Sequence, residues 1–198
     1  MEDISSNPLK KKRRFESLDI LKGLVMVLMV LDHVRDFFHA DVHTFDPADP
    51  ILSNIPVFFT RWITHFCAPT FVFLSGASIA FVASRKTTAE TRAFLFSRGC
   101  WLMFCDAFIV SFLWLFDLDF DLFILGVIWV IGLAMVCSAF VYTLNSRSLL
   151  GLTLAIVVGH HALDFLNDNN PSFFYSLLHQ QWKFDFGFCE VAVAYPLL

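Results

Sequence analysis

Charge is scarce in this sequence: only 16% of its 198 residues are Asp, Glu, Lys or Arg, against about 25% in soluble domains. Apolar residues make up 57%, with 25 phenylalanines, more than a water-soluble core could hide. An ordinary soluble domain is therefore excluded. The five cysteines are an odd number and offer no disulfide framework; Cys67, Cys100, Cys105 and Cys137 fall in apolar runs, where a thiol packs as a small hydrophobe, and Cys189 is left open. No small-residue cleavage site follows the first apolar run, which argues against a cleavable signal peptide. Internal repeats, low-complexity tracts and a nucleotide-binding glycine loop are also missing, and GASIA after Ser75 reads as close helix packing. Neither a serine nucleophile elbow nor a paired Cys-His motif is present. A general-base histidine is the better enzyme chemistry that remains.

What is there is a set of long apolar runs punctuated by charge. The first, within SLDILKGLVMVLMVLDHVRDFFH (Ser17 to His39), has an uncharged middle from Leu24 to Leu31 and ionisable residues at both ends. As a helix, Leu18 to Phe38 is about 31 Å long, enough to cross the hydrocarbon core of a bilayer. Ahead of it, residues 1–16 carry KKKRR at positions 10–14, read as a basic cytoplasmic segment that fixes topology rather than as a nucleic-acid or localisation signal.

Residues 17–198 are expected to form one all-α domain, a polytopic transmembrane helical bundle of five full spans plus a partial sixth. After the loop HADVHTFDPADP, a second helix runs from Val57 to Ala83, a third from Phe94 to Phe116, a fourth from Leu122 to Tyr142 and a fifth from Leu149 to Leu166. Phe173 to Phe184 reads as an amphipathic stretch at the membrane interface. A sixth apolar run begins near Phe188 and reaches Leu198, short of the roughly 20 residues a span requires, so the chain is expected to be a fragment or a truncated product. With the N-terminus inside, every Lys and Arg except Arg35, Arg61 and Lys183 falls on the cytoplasmic side, as the positive-inside rule requires. All seven histidines fall in the outer half or in outer loops.

Ionisable residues inside spans are costly and usually functional. Lys22 and His33 are eleven positions apart, about 20° from a common helical stripe and about 16 Å apart along it. They share one face, with Lys22 toward the cytoplasm. Asp36 is placed to orient or charge the His33 ring, and Asp32 to pair with Arg35; an ion-paired helix end solvated at the interface fits the same spacing. On the second helix His65 lies one turn past Arg61, and a structural histidine bonded to a carbonyl freed by Pro69 competes there with a functional role. Asp106 is expected to balance Arg98 or a cation on another helix. HADVH and the His160, His161 pair supply nitrogen, but not the three or four convergent ligands a metal needs, so no metal is expected.

The motifs carry a resemblance. SLDILKGLVMVLMVLDHVRDFF and FFTRWITHFCAPTFVFLSG resemble the first two transmembrane helices of bacterial proteins in the heparan-α-glucosaminide N-acetyltransferase catalytic-domain family. RGCWLMFCD and LGVIWVIGLAMV are similar to its next two segments, and GHHALDFL to its fifth. The resemblance implies an integral membrane acyltransferase that moves an acyl group, such as acetyl, from cytoplasmic acyl-CoA to a sugar amine or hydroxyl on the outer side. It implies a multi-pass protein of the cell membrane with no nucleic-acid partner, and it leaves oligomerisation open. A basic residue and a histidine eleven positions later mark the first helix of the wider superfamily, and Lys22 and His33 occupy those places. Lys22 stands where arginine is usual, keeping the charge without the bidentate fork. A lysosomal member has asparagine in place of His33 and an essential histidine in the following loop, where His39 or His43 would match. Members usually continue for several more helices, so the resemblance also implies C-terminal truncation. On this reading His33 is the general base, Asp36 assists it, His65 shapes the site and Lys22 faces the acyl-CoA. A proton-coupled transporter and a non-catalytic truncated remnant are the competing readings.

Overall fold

The computed structural model describes residues 16–38, 47–49, 51–163 and 171–197. The basic run at 10–14, His39, His43 and the rest of HADVH lie outside these residues. The chain is mostly helical, and its contacts group into two units, Met1–Gly76 and Ala77–Leu198.

In the first unit, α1 (Glu16–Phe38) is a single helix. Its less exposed positions, Leu21, Lys22, Val25, Leu28, Met29, Asp32, His33, Arg35 and Asp36, recur at the three- and four-residue spacing of one helical face. The opposite face is apolar and exposed, with Ile20 and Val27 among its residues. Polar groups within and apolar groups without is the arrangement lipid favours, because lipid solvates the outer side chains and leaves the inner polar ones to pair. Next comes α2 (Ile55–Thr64), which starts at Asn54, whose side chain accepts from the Val57 N–H at 2.9 Å. It ends at Thr64, and α3 (Cys67–Ala83) begins after a break at His65 and Phe66. The expected continuous helix from Val57 is thus two pieces. Pro69 explains the break: it has no N–H for the His65 carbonyl four residues back, and its ring crowds that carbonyl. Phe66 recovers partners on the far side, its carbonyl accepting from the Thr70 N–H at 3.1 Å and the Thr70 hydroxyl at 2.7 Å.

In the second unit, α4 (Thr88–Phe104) opens on a reciprocal cap between Thr87 and Glu90 and continues through a π-helical turn, Cys105–Val110, into α5 (Ser111–Leu115). Phe116, at φ 52°, ends it in the left-handed region. The strand β1 (Leu122–Leu125) precedes α6 (Val127–Val141). The crossing of α4 and α6 brings Gly99 against Gly132 and buries Leu95, Met135 and Ala139. The Tyr142 hydroxyl donates to the Thr88 carbonyl at 2.8 Å at the other end of the pair. After α7 (Ser146–Leu163) come α8 (Phe173–Leu178), β2 (Trp182–Asp185) and β3 (Glu190–Val193).

The strands form one sheet in the order β1-β3-β2. β3 runs parallel to β1, with Leu125 opposite Val193, and antiparallel to β2, with Trp182 opposite Val193. Leu125, Trp129, Val130 and Val193 form the core beneath it, with Phe173 and Phe184 packed alongside. This sheet departs from the all-α expectation at all three of its strands: β1 takes the start of the expected fourth span, and the other two departures lie near the C-terminus. The stretch read as an interfacial helix becomes strand from Trp182, and the run from Phe188 read as a partial sixth helix forms β3. The reason is the alternation of aromatic and charged residues in WKFDF, which suits a half-buried strand. The turn at Gly187, φ 81°, closes the hairpin, with the Phe186 N–H bonded to the Cys189 carbonyl at 3.0 Å.

Asp106 also departs from expectation. It is 1% exposed, yet among the described residues it forms no ion pair with Arg98 or any other cation. Its carboxylate accepts from the Gly126 N–H at 2.6 Å, capping the head of α6 where Gly126 has no side chain to do so. The π-helical turn places it there. Ser111 follows, its hydroxyl donating to the Ile124 carbonyl at 3.2 Å and accepting from the Ile124 N–H at 2.9 Å.

Two helical stretches among the described residues are long and apolar enough to cross a membrane: Ile55–Ala83, 29 residues, and Thr88–Leu115, 28 residues. The fourth expected span is shorter than anticipated, because Leu122–Leu125 is strand and α6 has only 15 residues, about 22 Å of helix.

Candidate functional site

Of the four residues singled out from the sequence, Lys22, His33 and Asp36 lie on the inner face of α1, and each is half-buried. His65 sits at the break between α2 and α3 and is exposed. The polar end of α1 is held by Asp32. One oxygen of its carboxylate, Oδ1, accepts from Arg35 Nη2, from the Thr64 hydroxyl at 2.6 Å and from Arg61 Nη1 at 3.4 Å. Arg35 Nη2 also donates to Asp36 Oδ1 at 2.9 Å.

The pairing of Asp32 with Arg35 is as the sequence suggests, and Asp36 joins the same cluster through Arg35. Among the described residues, its two carboxylates and two guanidiniums balance. Arg35 is its most buried member, its side chain 7% exposed, and its Nε and Nη1 have no hydrogen-bond partner among the described residues.

Arg61 joins this cluster to a pocket of about 240 Å³ lined by Ala48, Phe58, Arg61, Trp62, His65 and Phe66. Trp62 and Phe66 meet edge to face with centroids 5.7 Å apart. The lining is thus mostly aromatic, with one cation and one imidazole. Such a wall receives the apolar face of a ligand and orients it by a few polar groups.

Thr64, 3% exposed, escaped the sequence reading. The spacing that could have found it is Arg61 to Thr64, three residues, which puts a guanidinium and a hydroxyl on one helical face. Cys67 continues that face, its thiol 3.8 Å from the Val25 carbonyl. Cys67 is buried, as packing requires, whereas Cys105 and Cys189 are half-buried and Cys100 and Cys137 exposed.

The second unit holds another histidine group. The rings of His160 and His161 lie 4.1 Å apart and those of His160 and His179 6.3 Å apart. Tyr175 stacks edge-on against His179 and donates its hydroxyl to the Leu163 carbonyl at 2.9 Å. No group of three or more His, Cys, Asp or Glu among the described residues is arranged to hold a metal.

Residues 14–189 match the family described as heparan-alpha-glucosaminide N-acetyltransferase, catalytic. The chain belongs to this family. The match takes in α1 with its inner face, the α2–α3 break, the α4–α6 pair and the hairpin as far as Cys189, so the Asp32 cluster and the pocket both lie inside the matched residues. Membership makes the chain an acetyltransferase-like membrane protein. No curated protein and no solved structure matches it.

Proposed function

We propose that the protein transfers an acetyl group from acetyl-CoA on the cytoplasmic side of a membrane to a sugar amine or hydroxyl on the outer side. The observation that carries this reading is the family match across residues 14–189. In it, residues 1–16 form a basic cytoplasmic segment and residues 17–198 a transmembrane domain of the cell membrane, with the N-terminus inside.

His33 acts as general base. It takes a proton from the acceptor as that nitrogen or oxygen attacks the thioester carbonyl, and the proton then leaves with the CoA thiolate as free thiol. Histidine suits the task because its ordinary pKa lies near the working pH. Asp36 supports the His33 end of α1, Lys22 attracts the donor's phosphates from the cytoplasmic side, and His65 with Arg61 shapes the acceptor pocket. An acetyl-histidine intermediate fits the same residues.

The test uses inside-out vesicles carrying the protein and loaded with hexosamine. Acetyl-labelled acetyl-CoA is added outside. Acetylated sugar in the lumen is the expected result; a sugar that crosses unmodified, with no product, would overturn the transferase reading in favour of a transporter.

A further inference from the structure

We propose that Asp32 is a positioning residue that sets the depth of Arg61 and His65 relative to His33; the proposal rests on the acetyl-transfer reading above. Asp32 immediately precedes His33 on α1. Its carboxylate receives Thr64 at 2.6 Å and Arg61 at 3.4 Å, both from α2. Two helical turns down α1 from Asp32, the Val25 carbonyl meets Cys67, the first residue of α3. The two contacts fix an antiparallel register between α1 and the α2–α3 segment.

Apolar packing alone holds such a register weakly in a membrane, because lipid chains are as apolar as the side chains they replace. Sliding one helix past another by a turn is a displacement of about 5.4 Å. Hydrogen bonds to a carboxylate have a set length and direction and do not survive it. Asp32 is therefore the element that distinguishes one register from the next. Arg61 transmits the choice, since its guanidinium bonds Asp32 while its side chain lines the pocket with His65. Reacting groups misplaced by about 1 Å already lose much of their rate.

The charge balance of the cluster points the same way. Among the described residues, Asp32 and Asp36 are matched by Arg35 and Arg61, and what these four side chains supply is geometry.

The experiment compares Asp32→Asn, Thr64→Val and Thr64→Ser with the wild-type chain in membrane vesicles. It reads acetyl-transfer kinetics and, separately, the alkylation rate of Cys67 by N-ethylmaleimide, followed by mass spectrometry. Cys67 is 6% exposed and is expected to react slowly in the wild type. Asp32→Asn is expected to lower kcat by about tenfold or more, leave the KM for acetyl-CoA within about twofold, and speed Cys67 alkylation several-fold. Thr64→Val should do the same to a smaller degree, and Thr64→Ser, which keeps the hydroxyl, should restore both. Unchanged Cys67 labelling in Asp32→Asn would overturn the register role whatever the activity, and faster labelling with unchanged kcat would overturn the link to catalysis. A wild-type chain that transfers no acetyl group would overturn the acetyl-transfer reading instead, while Cys67 labelling would still decide whether Asp32 holds the register.

Discussion

Gly99 and Gly132 meet backbone to backbone where α4 crosses α6. A Cβ built on Gly99 would lie 2.6 Å from the Gly132 carbonyl oxygen, and one built on Gly132 would lie 2.7 Å from the Gly99 carbonyl oxygen. Neither obstacle is the flexible end of a side chain, so relief requires the helices to move apart. Gly99→Ala and Gly132→Ala should each destabilise the protein by roughly 1–3 kcal/mol, the usual cost of overpacking. Gly23→Ala and Gly151→Ala, where nothing lies within 4 Å, serve as controls. Thermal unfolding in detergent should show lowered midpoints for the first pair and unchanged or raised midpoints for the second.

Asp106 gives a second prediction, because two accounts of it differ. As a cap on α6 it needs only an acceptor oxygen, so Asp106→Asn should be mild, whereas Asp106→Ala should cost about 1–3 kcal/mol for the Gly126 N–H left unsatisfied. An ion pair with Arg98 would behave otherwise. A double-mutant cycle between Asp106→Asn and Arg98→Gln should give a coupling energy near zero; coupling above about 1 kcal/mol would restore the ion pair.

The difference between these accounts shows where the sequence stops being readable. Helical spacing put Lys22 and His33 on one face of α1, and both are half-buried on the same side of it, because a helix fixes its own faces. The Asp106 contact lies with the N-terminus of a helix twenty residues further on, and within-helix spacing carries no information about that. The strand β3 shows the same limit. Its pairing with β1 joins residues far apart in the chain, and an apolar run such as Val191 to Ala194 is compatible with helix or strand until its partner is known. Thr64 shares a helical face with Arg61 by spacing, but its bond to Asp32 shows only once α2 lies beside α1.

Arg35 supports a third prediction. It bonds both Asp32 and Asp36 from a position that is 9% exposed. Replacing it with methionine keeps most of the volume but leaves two carboxylates facing one another, with Arg61 bonded to one of them. Breaking a buried charge cluster on one side costs about 3–5 kcal/mol. Arg35→Met should therefore lower the unfolding midpoint far more than Lys183→Met, whose partner Glu190 and whose own side chain are both well exposed and whose pair is worth at most about 1 kcal/mol. Equal effects would show that the α1 cluster is solvated like a surface pair.

The last prediction separates charge from chemistry along α1. If Lys22 acts by attracting phosphate, Lys22→Arg keeps the cation, adds a second donor geometry and should leave turnover within about twofold, while Lys22→Gln should raise the KM for acetyl-CoA with less effect on kcat. If His33 is the general base, it is different in kind. Removing a general base lowers the rate of the chemical step itself, by about 100-fold or more, so His33→Ala should lower kcat with little change in donor KM. Membrane insertion should be intact in every variant, since one side chain changes the hydropathy of α1 very little. A His33→Ala variant that inserts normally and keeps wild-type turnover would remove His33 from the chemistry. The same result with a raised KM would instead place it with Lys22, as a binding residue on the same helical face.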